Sequence, residues 1–354
     1  MKVDVAVIGG GPAGCSAALA LRAQGLAVAV VAAVKRAEKP TETAAPLLRK
    51  LLHSIGADSA ISDCEPCFGI CSRWGRSSFG LRPSIVNPLG PARFVDRGVF
   101  DFRLRELARG AGAMWINARA RQVVFGSPHA AVLTSGETVH ARWLVLANGS
   151  PSWAARVTRQ KMRTYDFLAA FWTHLPTTTQ ARLLFLESVD SGWWYLCPDH
   201  ERGTVACFVT GAAQARRLHP GKISNWIVLF RATEISQHMA SDASALRVHV
   251  APAAVADLPR QYGSQWIAAG DAAARLDPLS SSGTAAAIGS GIDAAQAVGE
   301  MFAGDPEALE RYARRRQSLF IEFTRQRTQQ YILGGSAHAG DFWPGRIMNP
   351  SLPA

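Results

Sequence analysis

Three glycines near the N-terminus, Gly9, Gly11 and Gly14, follow the spacing G-x-G-x-x-G. An apolar run precedes them and an Ala/Leu-rich run follows, which predicts a buried strand, a tight turn and a helix. The first glycine permits the turn, the second lets the backbone approach a pyrophosphate, and the third lets helix and strand pack closely. With Pro12 and Ala13, they predict that a dinucleotide binds at the helix N-terminus, where free N–H groups favour an anion.

The end of the second strand lacks one residue that this pattern normally includes. An Asp or Glu at that point holds the ribose hydroxyls of the adenosine. This chain instead has Ala32 and Ala33 after the run VAVV. We therefore expect the ribose to be held differently, through water or through Lys35 or Arg36, or else the dinucleotide to bind more weakly.

Residues 270–291 form a second unusual stretch, GDAAARLDPLSSSGTAAAIGSG, in which Gly, Ala and Ser surround a Gly-Asp and an Asp-Pro pair. Side chains this small do not fill a core. They allow a flat ring to lie against the backbone, and they equally allow an Ala/Gly helix to pack closely on a neighbour. The residues alone leave both interpretations open, and the dinucleotide pattern favours the first.

The other reactive side chains give no comparable signal. Cys64, Cys67 and Cys71 form C-x-x-C-x-x-x-C, but a metal site needs a fourth ligand, and no second C-x-x-C or spaced His pair follows. Packing is therefore favoured over a redox or metal role for these thiols. The chain contains neither a Ser/His/Asp spacing nor paired carboxylates, so we expect no hydrolase and no bound metal.

The 354 residues include 38 Lys and Arg against 27 Asp and Glu, which gives a net charge of +11. Such a surface attracts anions, although charge alone does not choose among nucleotides, acidic proteins, nucleic acid and lipid. The most basic stretch, residues 311–327, has helical apolar spacing and is predicted to be a solvated helix face rather than a docking surface. No export signal and no long apolar run occur, so we predict a cytoplasmic protein without an integral membrane segment.

The remaining chain alternates between helical and extended patterns, with several aromatic and β-branched strands in its middle part. The predicted organisation has four parts. These are residues 1–163 as the first part of the dinucleotide-binding domain, with a substrate-side insertion at about 57–95; 164–251 as a β-rich substrate domain; 252–300 as the last part of the first domain; and 301–354 as a helical C-terminal region.

Three motifs occur here in a shared order: the glycine pattern, D-R-x-x-F-D at residues 96–101, and a strand ending in Gly270-Asp271 before DPLSSSG. This combination resembles the FAD-dependent monooxygenase and halogenase superfamily with the p-hydroxybenzoate hydroxylase fold. The resemblance implies an α/β protein with a Rossmann-type FAD-binding domain, a β-sheet substrate domain and a helical C-terminus. It also implies FAD contacts at Arg97, Gly270, Asp271 and Thr284, and a flavin-ring loop at Pro278, Ser281, Ser282 and Gly283.

A finer resemblance is to the LodB-like maturation flavoproteins and the tryptophan hydroxylase of quinohemoprotein amine dehydrogenase biosynthesis. It rests on KPTETAAPLLRKLLHSIG, GICSRWG, GWWYLCP and the terminal Phe342-Trp343. By this resemblance Trp74, Trp193, Trp194 and Tyr195 line an aromatic substrate pocket, although a core role is as plausible for each. Glu42 is a flavin or substrate contact or else a helix cap, and Asp96 and Arg97 either hold the cofactor or form a structural ion pair.

The segment that corresponds to the K-x-G-I-x-F-like motif of tryptophan halogenases, PCFGICSRWG, contains no lysine. Hypohalous acid would then have no recognised relay to the substrate, so hydroxylation is favoured over halogenation. The resemblance thus predicts an FAD-dependent monooxygenase acting on an aromatic small molecule or on a Trp or Tyr of an acidic partner protein or peptide. NAD(P)H or a flavin reductase would supply electrons, and no nucleic acid is expected. The alternatives are a halogenase, a geranylgeranyl-reductase-like enzyme and a non-catalytic flavin-binding maturation chaperone.

Overall fold

A computed structural model describes residues 1–33, 38–177, 181–199, 201–238 and 247–347. The helices are α1 Pro12–Ala23, α2 Leu47–His53, α3 Arg97–Gly110, α4 Pro151–Val157, α5 Ala212–Leu218, α6 Ile223–Arg231, α7 Gly283–Phe302, α8 Ala308–Gly335 and α9 Pro344–Ile347. The strands are β1 Lys2–Ile8, β2 Val28–Val31, β3 Thr41–Ala44, β4 Pro66–Cys67, β5 Gly69–Arg73, β6 Gly80–Pro83, β7 Ala92–Asp96, β8 Met114–Ile116, β9 Gln122–Val124, β10 Ala130–Leu133, β11 Thr138–Leu146, β12 Arg163–Asp166, β13 Leu168–Leu175, β14 Leu183–Val189, β15 Gly192–Asp199, β16 Gly203–Gly211, β17 His249–Pro252, β18 Val255–Asp257, β19 Tyr262–Gly263, β20 Trp266–Ala268 and β21 Ala274–Arg275.

The first sheet has the order β19-β20-β11-β1-β2-β8, and its central pairs β20/β11, β11/β1, β1/β2 and β2/β8 are parallel. A hairpin of β9 and β10 joins it through β11. Both faces are covered, because Val5 and Val7 pack towards α1, α3 and α7 while Ala6 and Ile8 pack on the other side. This two-sided burial explains why β2 and the second half of β1, residues 5–8, are apolar throughout.

Helices α1 and α7 lie against each other over the first sheet. A Cβ atom added to Gly291 would lie 2.2 Å from the carbonyl oxygen of Ala13 and 2.3 Å from Ser16 Oγ. Ser16 Oγ also donates a hydrogen bond to the carbonyl of Ile288 at 3.1 Å. The small residues in the second half of the 270–291 stretch therefore permit close helix packing, the alternative that the sequence left open.

The second sheet has the order β17-β13-β16-β15-β14-β5-β6 and is antiparallel except between β14 and β5. One face carries Trp172 and Trp193 and packs against α8 residue Tyr331, while the other carries Trp194 beneath Trp226 of α6. The predicted β-rich region thus also contains the helices α5 and α6.

Two three-stranded sheets, β3-β7-β4 and β12-β18-β21, lie alongside the larger sheets, and the long helix α8 contributes Tyr312 to the first core and Tyr331 to the second. The predicted fold class is confirmed: a Rossmann-type domain, a β-sheet domain and a helical C-terminal part. The four residue boundaries proposed from the sequence stay a prediction. No helix in the described part of the chain is both long and apolar enough to cross a membrane.

Candidate functional site

A central cavity of about 1210 Å³ connects the glycine turn after β1 with the second sheet. Gly9, Gly11, Pro12 and Ala13 line its middle, next to the carboxyl end of β1. Its aromatic end is lined by Trp172, Trp193 and Tyr195 together with Ala170, Leu184 and Leu186, and its basic end by Arg105, Arg119, Arg121 and Arg156 together with Trp115.

The glycine turn has a backbone geometry that side chains would prevent. Gly9 has a φ of +117°, and an added Cβ would lie 2.3 Å from the carbonyl oxygen of Ala147. A Cβ on Gly14 would lie 1.9 Å from the carbonyl oxygen of Gly9, whereas one on Gly11 would meet no protein atom within 4 Å. Gly11 is thus open towards the cavity, beside the N-terminus of α1. This cradle fits the pyrophosphate of FAD, so the residues present are suited to that group.

Arg97 lies on the cavity wall within a cluster of charges. Its Nη1 donates to Glu42 Oε1 at 2.9 Å and to Thr284 Oγ1 at 3.3 Å, while its Nε donates to Asp101 Oδ1 at 3.1 Å. Burial opposes the charge on this guanidinium, but the two carboxylates outweigh it and raise its pKa. Asp101 also pairs with Lys39. Arg97 and Thr284 therefore reach the cavity as members of an ion-pair network, and their contact with a cofactor stays a prediction.

The D-R-x-x-F-D motif has a clear structural basis. Asp96 caps α3 by accepting hydrogen bonds from the backbone N–H of Gly98 at 2.6 Å and of Val99 at 3.0 Å. Arg97 and Asp101 then form an i,i+4 ion pair on the cavity side of the helix. The motif thus fixes the start of α3 and the position of Arg97 together.

Gly270 and Asp271 follow β20 where it approaches α1. Gly270 has a φ of +59°, and its N–H donates to Ser290 Oγ at 2.7 Å. Asp271 lines the cavity, whereas Gly270 does not. Burial raises the pKa of the Asp271 carboxyl, and the Arg275 guanidinium, at 3.3 Å, partly offsets this rise. The Asp271 side chain is 44% exposed, but it lines the cavity, so its carboxyl lies within the pocket and not on the outer surface of the protein.

The predicted flavin-ring loop runs along the cavity between its middle and its aromatic end. Pro278, Ser281, Gly283 and Thr284 line the cavity, whereas Ser282 of the same loop does not. Gly14, a predicted cofactor contact in the glycine turn, does not line it either. The backbone is held because the carbonyl of Ser281 accepts from the N–H of Ala45 at 3.1 Å. These residues present backbone and short side chains to the cavity, which is compatible with a flat ring lying there.

Asp277 of the Asp-Pro pair is 1% exposed and is paired with α8. Its Oδ2 accepts from Arg327 Nε at 2.6 Å and from the Tyr331 hydroxyl at 2.8 Å. Trp193 Nε1 in turn donates to the Tyr331 oxygen at 3.2 Å. Arg327 also pairs with Asp166. A buried polar chain therefore joins the loop after Asp277, helix α8 and the aromatic end of the cavity.

Sequence reasoning missed Arg327, which is 9% exposed although it lies at the end of the stretch predicted to be a solvated face. Tyr331 could have indicated this burial. It lies four residues after Arg327 and therefore on the same face of α8, and an aromatic residue there indicates that this face packs against the protein. The guanidinium lies 4.2 Å from the centre of the Tyr331 ring.

The four predicted pocket aromatics separate into two groups. Trp193 and Tyr195 line the cavity, as does Trp172, which the sequence analysis did not select. Trp194 points to the opposite face of β15 and stacks on Phe208 at a centroid distance of 4.8 Å. Trp74 does not line the cavity and contacts the edge of Trp193 at 6.3 Å. Successive side chains of a strand point to opposite faces of the sheet, so Trp194 lies on the face opposite Trp193 and Tyr195. This separation could have been predicted from the sequence.

Beyond the glycine turn, the cavity is bounded by Ala32, Ala33 and the indole of Trp115. A Cβ on Gly10 would lie 2.5 Å from Trp115 Cη2 and 2.9 Å from the Cβ of Ala32. The indole therefore fills the corner next to the missing acidic residue. Lys35 and Arg36, the suggested ribose contacts, lie outside the described residues.

All six cysteines are free thiols. Burial raises the pKa of Cys64 to about 11 and that of Cys15 to about 12, and it also raises the pKa of Cys67. In the described part of the chain, no three His, Cys, Asp or Glu side chains are grouped as a metal site would require. These thiols are therefore poor nucleophiles at neutral pH.

We expect Cys64 in the folded protein to react with iodoacetamide at pH 8 about 100-fold more slowly than free cysteine, since its thiolate fraction is small. Its rate should rise as the pH approaches about 11. Mass spectrometry of digests taken over time measures this rate. Urea-unfolded protein is the control and should react at the ordinary rate. Rapid alkylation, or a disulfide between Cys64 and Cys67, would contradict the packing role.

Comparisons with known proteins identify the family of the chain. Residues 3–192, more than half of the chain, match the family described as pyridine nucleotide-disulphide oxidoreductase. LodB of Marinomonas mediterranea, named as an FAD-dependent oxidoreductase, is 25% identical over 93% of this chain and 92% of its own.

Two solved structures show the same fold. The peptidyl tryptophan dihydroxylase QhpG, essential for tryptophylquinone cofactor biogenesis, has a TM-score of 0.80 at 23% identity, covering 100% of this chain and 80% of its own. The flavin-dependent halogenase CmlS has a TM-score of 0.88 at 19% identity, covering 99% of this chain and 68% of its own. The predicted fold, which these FAD-dependent hydroxylases and halogenases share, is confirmed, and so is the FAD cofactor. The chain belongs to the pyridine nucleotide-disulphide oxidoreductase family and is an FAD-dependent oxidoreductase.

Proposed function

We propose that this protein is an FAD-dependent monooxygenase that hydroxylates the aromatic ring of a Trp or Tyr side chain in a partner protein. One observation carries the proposal. A single cavity joins the glycine turn, the small-residue loop at Pro278, Ser281 and Gly283, and the aromatic end at Trp172, Trp193 and Tyr195. A dinucleotide bound at the turn could thus extend its ring along the loop towards an aromatic substrate.

The chain contributes binding, orientation and exclusion of water. When bound, reduced FAD supplies two electrons for the reaction of O₂, so that one oxygen atom enters the ring and the other leaves as water. Leu184, Leu186 and Trp172 surround the aromatic end with apolar surface, which favours a flat ring and disfavours bulk water. The polar chain from Trp193 through Tyr331 to Asp277 keeps this wall and the loop in fixed relation.

The residues that line the cavity favour hydroxylation over halogenation. Lys39 is the lysine among them, and its ammonium pairs with Asp101. It is therefore engaged near Arg97 and not free at the aromatic end. The halogenase-type relay, which needs a lysine beside the substrate, has no counterpart among the described lining residues.

A protein substrate is supported by two observations. LodB and QhpG resemble this chain over nearly its whole length, and QhpG acts on a peptidyl tryptophan. The net charge of +11 suits an acidic partner protein or peptide, and an aromatic small molecule is the simpler alternative substrate. Electrons would come from NAD(P)H or from a flavin reductase. A cytoplasmic location, which the free cysteines suit, belongs to the same proposal.

The test incubates the FAD-loaded protein with NADH, a flavin reductase, ¹⁸O₂ and a set of probes. The probes are L-tryptophan, L-tyrosine and Trp- or Tyr-containing peptides flanked by glutamates. We expect a product that is 18 Da heavier and contains one labelled oxygen atom. A brominated product in the presence of bromide would instead identify a halogenase. Oxygen uptake above that of the flavin reductase alone, recovered entirely as hydrogen peroxide, would favour the reductase-like alternative. Uptake no greater than that of the flavin reductase alone, with no modified probe, would favour the chaperone.

A matched pair of variants ties the activity to the aromatic end. Ala170 lines the cavity, so Ala170→Trp should reduce product formation at least 10-fold while leaving the bound flavin spectrum unchanged. Val250 lies on the neighbouring strand with 59% exposure, so Val250→Trp should leave product formation unchanged. Equal losses in the two variants would contradict this placement of the substrate.

A further inference from the structure

Residues 66–95 combine positive charge with apolar side chains at one edge of the second sheet. The stretch contains the arginines Arg73, Arg76, Arg82 and Arg93, and it contains neither Asp nor Glu. It includes β5, the edge strand β6 and the turn that follows β6. This part of the chain lies within the predicted substrate-side insertion.

The segment 81–89 presents its apolar side chains to solvent. Ile85 is 89% exposed and Val86 is 66% exposed, and Leu81 and Leu89 are exposed as well. Single exposed apolar residues are ordinary on protein surfaces, whereas a group of them beside charged residues is typical of an interaction site.

Hydrogen bonds hold the 81–89 segment in this conformation. The N–H of Ser84 donates to the carbonyl of Phe68 at 2.7 Å, which ties the segment to the start of β5. The N–H of Asn87 donates to the carbonyl of Ser84 at 2.9 Å, and Asn87 Oδ1 accepts from the N–H of Leu89 at 3.0 Å. Ile85 therefore lies on an ordered turn, and a partner could cover it with little loss of backbone entropy.

Two arginines of this stretch carry charge that the protein does not neutralise. Arg76 and Arg82 are exposed, and neither forms an ion pair with a described residue, whereas Arg73 pairs with Glu187. Arg76 Nη1 lies 3.7 Å from the position of a Cβ on Gly80, so Arg76 lies alongside β6. Apolar side chains next to this charge are complementary to a surface with apolar and acidic side chains.

The same edge lies close to the aromatic end of the cavity. Arg82 of β6 pairs with Ile70 of β5, and Ile70 pairs with Leu184 of β14, which lines the cavity. Neighbouring strands are about 4.8 Å apart, so Arg82 lies roughly 10 Å from Leu184 along the sheet. No strand in the described part of the chain pairs with the outer side of β6, so this edge is available to a partner chain.

We propose that the 81–89 segment is the docking site for the acidic partner protein whose Trp or Tyr side chain enters the cavity. Apolar side chains of the partner would cover Ile85 and Val86, its carboxylates would pair with Arg76 and Arg82, and its backbone would lie along the edge of β6. The inference rests on the proposed function and deepens it by naming the surface that selects a protein substrate.

Two other occupants match this surface less well. A second copy of this chain, paired edge to edge, would bring two sets of arginines together, and like charges repel across an interface. An anionic bilayer would match both the charge and the apolar side chains, but lipid tails offer no hydrogen-bonding groups to the edge of β6.

The experiment measures fluorescence anisotropy of labelled peptides with the full FAD-loaded protein. The probe is a peptide of about twelve residues in which glutamate and valine alternate on both sides of one tryptophan, long enough to run from β6 to the cavity. We expect it to bind at least 10-fold more tightly than the same peptide with lysine in place of glutamate.

Two double variants test the segment. Ile85→Asn with Val86→Asn removes exposed apolar side chains, and Arg76→Ser with Arg82→Ser removes the charge. Each double variant should weaken binding of the acidic peptide at least 10-fold. All four residues are exposed, so the variants should fold, and circular dichroism checks this.

The matched control is Val228→Asn with Arg231→Ser. Both residues are exposed on α6, which packs against the opposite face of the second sheet. This variant should change binding of the acidic peptide by less than twofold. Equal losses in the control and in the segment variants, or equal binding of the acidic and basic peptides, would contradict the docking site, as would no binding of either peptide.

The other occupants are tested with the same variants. Flotation with vesicles of phosphatidylglycerol and phosphatidylcholine tests the bilayer, and sedimentation velocity tests a second copy. Vesicle binding or self-association that Ile85→Asn with Val86→Asn abolishes would assign the segment to that occupant and overturn the proposal.

Failure of the docking site is distinguishable from failure of the proposed function. If the acidic peptide binds at the segment but is not hydroxylated, the proposed function is contradicted and the docking site stands. If Trp- or Tyr-containing probes are hydroxylated while the segment variants bind the acidic peptide as the wild-type protein does, only the docking site is wrong.

Discussion

Replacement of Arg327 by methionine is expected to lower the free energy of unfolding by about 3–5 kcal/mol, the cost typical of leaving a buried charge without its partner. Asp277 is 1% exposed, and without the guanidinium only the neutral donors Tyr331 and Leu279 N–H remain. Asp166 is affected less, because Arg346 also donates to it at 2.8 and 2.9 Å. Urea unfolding of the FAD-free protein measures the difference.

Two further variants make this result specific. Arg325→Met removes an arginine of the same helix that is 55% exposed and pairs with Glu322, so we expect a change within about 0.5 kcal/mol. Adding Asp277→Asn to Arg327→Met should restore part of the lost stability, because the unpaired charge is then removed. Equal losses for Arg325→Met and Arg327→Met, or no rescue by Asp277→Asn, would show that the ion pair is not the cause.

Two alanine substitutions in the glycine turn are expected to separate folding from cofactor binding. Gly14→Ala places a Cβ 1.9 Å from the backbone oxygen of Gly9, which cannot move away without distorting the turn. We expect this variant to lose about 1–3 kcal/mol of stability, as overpacked cores do, and to lose FAD affinity as well. Gly11→Ala places its Cβ in open space, so its stability should change by less than about 0.5 kcal/mol.

Gly11→Ala should nevertheless raise the Kd for FAD at least ~10-fold, or about 1.4 kcal/mol, because the new methyl group occupies the space that the pyrophosphate needs. Titration calorimetry with FAD and urea unfolding of the FAD-free protein provide the two readouts. Gly110→Ala, at the end of α3 with no atom within 4 Å of the added Cβ, is the control and should change neither. Unaltered FAD affinity in Gly11→Ala would place the pyrophosphate elsewhere.

The parts of the fold that could be predicted are those encoded by local pattern. The β1-turn-α1 unit was predictable because the apolar run, the glycines and the Ala/Leu-rich helical run follow one another directly in the sequence. The close contact between Gly14 and Gly9 also joins residues that are near each other in the sequence. The fold class followed because three such local signals occur in order. The strands β13 to β16 could also be predicted, because their aromatic and β-branched content is a local property of the sequence.

The parts that could not be predicted depend on contacts between distant residues. Arg327 is buried because Asp277 and Asp166 come together across the fold, and no local pattern on α8 encodes those partners. The Trp115 indole beside Ala32 similarly results from the pairing of β2 with β8. The small residues of 270–291 proved to have both of the roles considered, since the first half lines the cavity and the second half packs on α1.

The 28-residue helix α8 has a mechanical consequence for how a substrate enters. It is roughly 42 Å long at a rise of 1.5 Å per residue, and its two ends are fixed in different cores. Tyr312 donates to the carbonyl of Ala268 in the first sheet, while Tyr331 bonds to Asp277 and Trp193 beside the second. A hinge between the two lobes would have to break one of these buried anchorages. The helix therefore connects the two lobes rigidly. Under the proposed function, the aromatic ring of a protein substrate would enter the cavity without a separation of the two lobes.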